Sequence, residues 1–202
     1  MEYNVTNLDS LYEALGEKKL QEILDEFICD KNIEVEKFLK EKAISLSKQG
    51  ISKTYIVTTS IEENNIIVGY FSIANKMTKI KNDFFGGRTK RRFERFAETS
   101  QNTNTYLAYL PLIGQLGKNF YNNYNKYITG DILLRLACKQ VYQVQKLIGG
   151  RFVFLECEDI PKLKKFYESN GFICYNKRKL DKYESENNVE YLLQMICDLS
   201  KF

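Results

Sequence analysis

Tyr106-Leu-Ala-Tyr-Leu-Pro-Leu-Ile-Gly-Gln-Leu-Gly117 is an apolar run that ends in a polar, asparagine-rich stretch, 118–129. Gly130-Asp-Ile-Leu-Leu-Arg-Leu-Ala137 then opens a segment that closes at Gly149-Gly150. A second apolar run, Arg151-Phe-Val-Phe-Leu-Glu-Cys157, leads into Asp159-Ile-Pro-Lys-Leu-Lys-Lys-Phe-Tyr-Glu-Ser-Asn-Gly-Phe172. The order reads as strand, loop, helix, strand, helix, which implies a parallel strand pair joined by a right-handed crossover.

The helix over 131–148 rests on spacing. Leu133, Leu136, Ala137, Val141, Val144, Leu147 and Ile148 recur at helical period on one broad face. Thr129 suits the N-cap, Asp131 the positive end of the dipole, and Gly149 a left-handed stop. Gly130 leaves bare backbone at a helix start, where converging N–H groups can hold a phosphate. An ordinary strand-to-helix turn would look the same.

Two features resemble the GNAT family of N-acetyltransferases. Phe166-Tyr167-Glu168-Ser-Asn-Gly171-Phe172 is similar to the family's FYxxxGF ending after a strand and a short helix. Leu116-Gly117-Lys118, followed by a loop and Gly130-Asp131-Ile-Leu-Leu, is similar to its acetyl-CoA strand, pyrophosphate loop and helix. The family loop reads Gln/Arg-x-x-Gly-x-Gly/Ala; the matching positions here are Asn125, Ile128 and Gly130, and only the last glycine is kept.

The resemblance implies an α/β fold with a GNAT-like mixed, twisted central sheet flanked by helices on both faces. It also implies an N-acetyltransferase that moves an acetyl group from acetyl-CoA to an amine acceptor. Leu116, Gly117 and Lys118 would hold pantetheine and polarise the thioester carbonyl. Asn125, Lys126, Tyr127, Ile128, Thr129, Gly130 and Asp131 would cradle the pyrophosphate. Tyr167 would protonate the leaving thiolate; packing beside Phe166 is its plainer role. The acceptor is a small molecule, a protein amine or an aminoacyl-tRNA, the last because toxin members of the family acetylate charged tRNA. Glu156 and Glu158 share one side of their strand by alternation, and neither is assigned as the base.

Chemistry elsewhere is bounded by what is missing. With no histidine among 202 residues, a Ser-His-Asp site, a Cys-His site and histidine-ligated zinc are excluded, and no metal is expected. Gly114-Gln-Leu-Gly117-Lys118-Asn119 looks like a P-loop, but its spacing is wrong and no Ser or Thr follows the lysine. The five cysteines are odd in number and form no Cys-x-x-Cys, which suits reduced core thiols in a cytoplasmic protein. No apolar run is long enough for a membrane span, and the start, Met-Glu-Tyr-Asn-Val-Thr, is not a signal peptide.

The remaining chain reads as one domain over 1–202, with an N-terminal helical arm over about 1–33 and a basic insertion over about 76–105. Leu20, Ile23, Leu24, Phe27 and Ile28 repeat at helical spacing, and Gly16 breaks that segment. Val35, Phe38, Leu39, Ala43 and Leu46 mark a further helix that ends near Gly50. Residues 54–59 and 66–74 form a hairpin about 62–65. Residues 173–175 and 191–197 form a closing antiparallel pair, with a charged turn at 176–188 between them.

Between Lys76 and Arg95 lie eight bases and two acids, a local +6 in a chain of net +4. Phe84, Phe85, Phe93 and Phe96 lie in or beside it, a mixture that suits RNA contact over 76–95. A solvated element anchored to the core by its phenylalanines reads equally from the same residues. A non-catalytic acyl-CoA-binding or protein-interaction module with this fold, and a plain RNA-binding protein, stand as alternatives. A homodimer is left open.

Overall fold

The computed structural model describes residues 1–100, 102–180 and 190–201. In chain order the elements begin β1 (Asn4–Asn7), α1 (Leu8–Leu15), α2 (Glu17–Asp25), α3 (Ile33–Lys37), α4 (Ala43–Lys48), β2 (Ser52–Ile61) and β3 (Asn64–Lys81). They continue with α5 (Gly87–Phe93), β4 (Glu98–Ser100), β5 (Thr105–Lys118), α6 (Gly130–Ile148), β6 (Phe152–Glu158), α7 (Pro161–Ser169), β7 (Ile173–Lys179) and β8 (Tyr191–Asp198). The strands make one eight-stranded mixed sheet in the order β1-β2-β3-β5-β6-β8-β7, with β4 paired to β5. The chain packs as two compact units, residues 1–74 with 113–140 and residues 75–112 with 141–202, and β3, β5 and α6 each run through both.

In the first unit β1, β2 and β3 are antiparallel neighbours. The β2–β3 hairpin turns on Glu62 and Glu63, both at positive φ, a two-residue loop that matches the twist of its strands. Helices α1 to α4 cover one sheet face. Leu8, Leu20, Leu24, Phe27, Leu39 and Ala43 bury against Ile56 and Tyr70. Gly16, at φ 77°, separates α1 from α2 as its position in the sequence predicts. A π-helical turn, Phe38–Lys42, joins α3 to α4. On the opposite face Leu133, in the first turns of α6, packs on Gly69 of β3.

In the second unit β6, β8 and β7 are antiparallel. One face carries Ile80, Tyr106, Ala108, Leu110, Phe152, Phe154, Tyr175 and Ile196, covered by Phe85 and Phe93. Buried Val153, Leu155 and Cys157 point to the other face by strand alternation. There Gln145, near the end of α6, donates to the Phe152 carbonyl at 2.8 Å.

Three expectations change. β3 continues to Lys81, because Thr78 and Ile80 point inward while Lys79 and Lys81 point out, so the basic stretch begins on a strand. Leu147 and Ile148 leave the buried face of α6 and stand 86% and 78% exposed, since the helix outlasts its packing surface. β7 runs to Lys179 where a turn is expected over 176–188; residues 181–188 of that turn lie outside the described residues.

Candidate functional site

β5 reaches its end at Leu116, Gly117 and Lys118. Gly117 is buried, and a β-carbon there would collide with Val35 Cγ1 and crowd the Tyr70 ring. By alternation Leu116 and Lys118 point to the other face, and both are half-buried. Partial desolvation, helped by the nearby Lys31 ammonium, holds the Lys118 amine below its ordinary pKa. Two cations that repel each other favour an anion beside them.

Beyond Lys118 the chain turns through Tyr121–Tyr127, a short 3₁₀ stretch. Asn122 and Asn123 hold left-handed φ of 47° and 59°, a conformation that asparagine tolerates better than most residues. Tyr121 and Tyr124 meet edge to face at 5.9 Å. Tyr3 donates to the Tyr127 carbonyl at 2.7 Å and fixes the end of this turn. Asn125 and Tyr127 are half-buried, Lys126 lies exposed with its ammonium 4.8 Å from the Tyr127 ring, and Ile128 is buried.

Thr129 caps α6 as its sequence position suggests. Its hydroxyl accepts from the Ile132 N–H at 3.2 Å, and its carbonyl from the Leu133 N–H at 3.1 Å. Gly130 and Asp131 form the first turn of a 19-residue helix, whose leading N–H groups carry the positive end of the dipole. Leu116 to Asp131 thus lie together in the first unit.

Asn119 was legible in the sequence only as part of the false P-loop, yet it organises this corner. Its side-chain oxygen accepts from the Ile28 and Tyr121 N–H groups, both at 3.1 Å, and its amide nitrogen donates to the Ile67 carbonyl at 2.9 Å. Its own N–H reaches the Val68 carbonyl at 2.9 Å.

Tyr167 belongs to the second unit. Pro161 starts α7 at its first turn, where a missing N–H costs nothing. Asp159 does not cap the helix; it pairs with Lys177 at 2.7 Å. At the far end Gly171, at φ 85°, lets the Phe172 N–H return to the Tyr167 carbonyl at 3.1 Å. The Tyr167 ring meets Phe166 and Phe172 edge to face at 4.9 and 6.0 Å.

Burial, with a small contribution from the Cys157 thiol, pushes the Tyr167 phenol well above its ordinary pKa. Its hydroxyl has no hydrogen-bond partner among the described residues. The shift keeps the phenol protonated and also makes it a weaker acid, so proton donation from it requires a positioned, assisted acceptor.

Glu156 and Glu158 share a strand side, and the structure commits the first. Arg178 grips Glu156 with Nε at 3.1 Å and Nη2 at 2.9 Å, Gln194 donates to it at 2.7 Å, and Lys76 approaches to 3.6 Å. Burial alone would raise its pKa, but these donors and charges outweigh burial and hold the carboxyl below the usual range. Glu156 is therefore a structural anion.

In the basic stretch Phe85 and Phe93 belong to the core, as the anchoring alternative has it, while Phe96 is 40% exposed. Arg88 and Arg91 are exposed one turn apart on α5, Arg95 is exposed in the turn that follows it, and Arg92 approaches Asp198 at 3.8 Å. Among the described residues no cluster of potential metal ligands occurs, and no helix is long and apolar enough to cross a membrane.

No protein-family model and no curated sequence matches the chain. Solved structures do. AtaT complexed with acetyl-methionyl-tRNAfMet aligns at TM-score 0.61 and 16% identity, over 95% of this chain and 94% of that one. A point mutant of KacT aligns at TM-score 0.60 and 16% identity, over 96% and 94%. AtaTR bound with AcCoA aligns at TM-score 0.56 and 17% identity, over 99% and 95%. Identities this low speak for architecture alone: the chain has a GNAT-like fold, shared with these structures.

Proposed function

We propose that this protein is an acetyl-CoA-dependent N-acetyltransferase of the cytoplasm whose acceptor is the amine of an aminoacyl-tRNA. The observation that carries the reading is likeness over nearly the whole chain to AtaT, complexed with acetyl-methionyl-tRNAfMet in one structure and, as a point mutant, with the C-terminus of an antitoxin and acetyl-CoA in another. The residues present fit the donor. Leu116, Gly117 and Lys118 offer a strand end to pantetheine. The turn from Asn125 through Lys126, Tyr127, Ile128 and Thr129 to Gly130 and Asp131 offers backbone N–H groups and a helix dipole to pyrophosphate.

In the reaction the acceptor nitrogen forms a bond to the acetyl carbon as the carbon–sulfur bond breaks. Tyr167 gives its phenolic proton to the departing thiolate and regains one from solvent; the nitrogen loses its proton to water. Glu156 takes no part, because Arg178 and Gln194 already occupy it.

The exposed bases of 76–95, above all Arg88, Arg91 and Arg95, are the proposed contact for RNA phosphates. A homodimer belongs to the same proposal, with exposed Leu147 and Ile148 as apolar surface for it; sedimentation of the Leu147→Ser variant tests that part.

Asn125 and Ile128 stand where the family loop has other residues, which favours a second reading, a non-catalytic acyl-CoA-binding module. Calorimetry with acetyl-CoA, followed by labelled acetyl transfer to a panel of amines and aminoacyl-tRNAs, separates the two. Binding with transfer to aminoacyl-tRNA supports the enzyme; binding without transfer to any acceptor supports the module; no binding sinks both.

A further inference from the structure

We propose that Asn119 is a positioning residue for the acetyl-CoA site, the clamp that sets the end of β5 and the first residue of the turn toward α6. The inference rests on the acetyl-CoA reading above and adds to it a residue that takes no part in the proposed chemistry.

Asn119 is 3% exposed, and an amide so deeply buried must find its partners inside the protein. It finds them on three separate pieces of chain. Toward β3, its N–H and its Nδ2 donate to the carbonyls of Val68 and Ile67. Toward the arm, its Oδ1 accepts from the Ile28 N–H, while the neighbouring Phe120 N–H donates to the Ile28 carbonyl at 2.8 Å. Toward the turn, the same oxygen accepts from the Tyr121 N–H. The side chain thus behaves as an extra peptide unit, extending strand-like pairing one residue past Lys118.

The position gives this pairing its consequence. One residue before Asn119 is Lys118, the last of the three positions proposed for pantetheine; two residues after it begins the turn that ends at Gly130. The turn is pinned at its start by Asn119 and near its end by Tyr3. Seven residues beyond Ile28, Val35 of α3 lies over Gly117, and Tyr70 donates to the Val35 carbonyl at 2.5 Å. Loss of the Asn119 side chain would release strand end, turn and arm together, although the core residues of α1, α2 and α4 stay packed on β2 and β3.

The test is calorimetric binding of acetyl-CoA to Asn119→Ala, with steady-state kinetics alongside. The dissociation constant and the KM for acetyl-CoA should rise about tenfold or more, near 1.4 kcal/mol, while the KM for the acceptor stays within about twofold. Ser47→Ala supplies the control. It removes the hydrogen bond to Asp9 in the same unit and should lower the melting temperature without moving acetyl-CoA affinity. Asn119→Ser, which leaves a small uncharged hydroxyl in the buried site and loses the bond to Ile67, should weaken binding by a smaller factor. It also serves as the decisive variant should Asn119→Ala not fold. Wild-type affinity in a folded Asn119 variant, or a loss no greater than in Ser47→Ala, overturns the clamp and leaves the functional reading standing. Absence of acetyl-CoA binding in the unmutated protein overturns both.

Discussion

Gly117 and Val35 meet so closely that a β-carbon on the glycine would overlap the valine's Cγ1. The contact joins the end of β5 to α3, 82 residues earlier in the chain by their numbers, and it makes glycine a packing requirement at the proposed pantetheine position. Gly117→Ala should cost about 1–3 kcal/mol in urea unfolding, the usual cost of overpacking a dense core. Adding Val35→Ala should recover a substantial part of that loss. If the double variant is no more stable than Gly117→Ala, the two residues do not press on each other.

Tyr167→Phe keeps the ring contacts with Phe166 and Phe172 and deletes a hydroxyl that no described residue uses. Melting temperature and acetyl-CoA affinity should hold, while turnover falls roughly 10²–10⁴-fold. With the phenol raised above its ordinary value of about 10, kcat should show no loss of the acid form up to that pH. A basic limb centred near pH 8 that vanishes in Tyr167→Phe would contradict this environment.

The Glu156–Arg178 pair predicts acid behaviour. A carboxyl whose pKa is depressed in the fold contributes stability that is present above the unfolded value, about 4.3, and is lost as pH falls through the folded value. Glu156→Gln should therefore be less stable at pH 7, by about 2–3 kcal/mol, because Arg178 and Lys76 lose their anion. Below about pH 4.3 its unfolding free energy should also fall less steeply than that of the unmutated protein. Equal slopes in urea titrations across pH 3–7 would remove Glu156 from the account.

The arginines of α5 and of the turn after it should divide by their surroundings. Reversing Arg88, Arg91 and Arg95 to glutamate should leave the melting temperature near its starting value and abolish salt-dependent tRNA retention. Three lost phosphate contacts would flatten the log–log salt slope by about 2–3. Arg92→Glu should lower thermal stability as well, since Asp198, already paired with Arg151 at 2.7 Å, would face a like charge. RNA retention that is indifferent to all four charges would return the helix to a solvated role.

The sequence by itself determined the elements whose causes are local. Thr129, the apolar spacing from Leu133 to Val144 and Gly149 specify α6; Pro161 and Gly171 delimit α7; alternating residues specify the β2–β3 hairpin. Such signals act within one or two turns of chain, so they survive without a tertiary context. The same alternation marks Thr78 and Ile80 as inward residues of β3, though the dense charge around them draws the eye toward an insertion.

Only the tertiary structure decided what depends on distant partners. Asn119 reads as one more loop asparagine until Ile28 and Ile67, 91 and 52 residues away, supply its hydrogen bonds. Glu156 reads as an available base until Arg178 arrives from β7. Leu147 and Ile148 keep helical period with the buried residues of α6, yet periodicity cannot say where the opposing surface stops. Burial and pairing are properties of neighbours in space, and a single sequence records spacing along the chain.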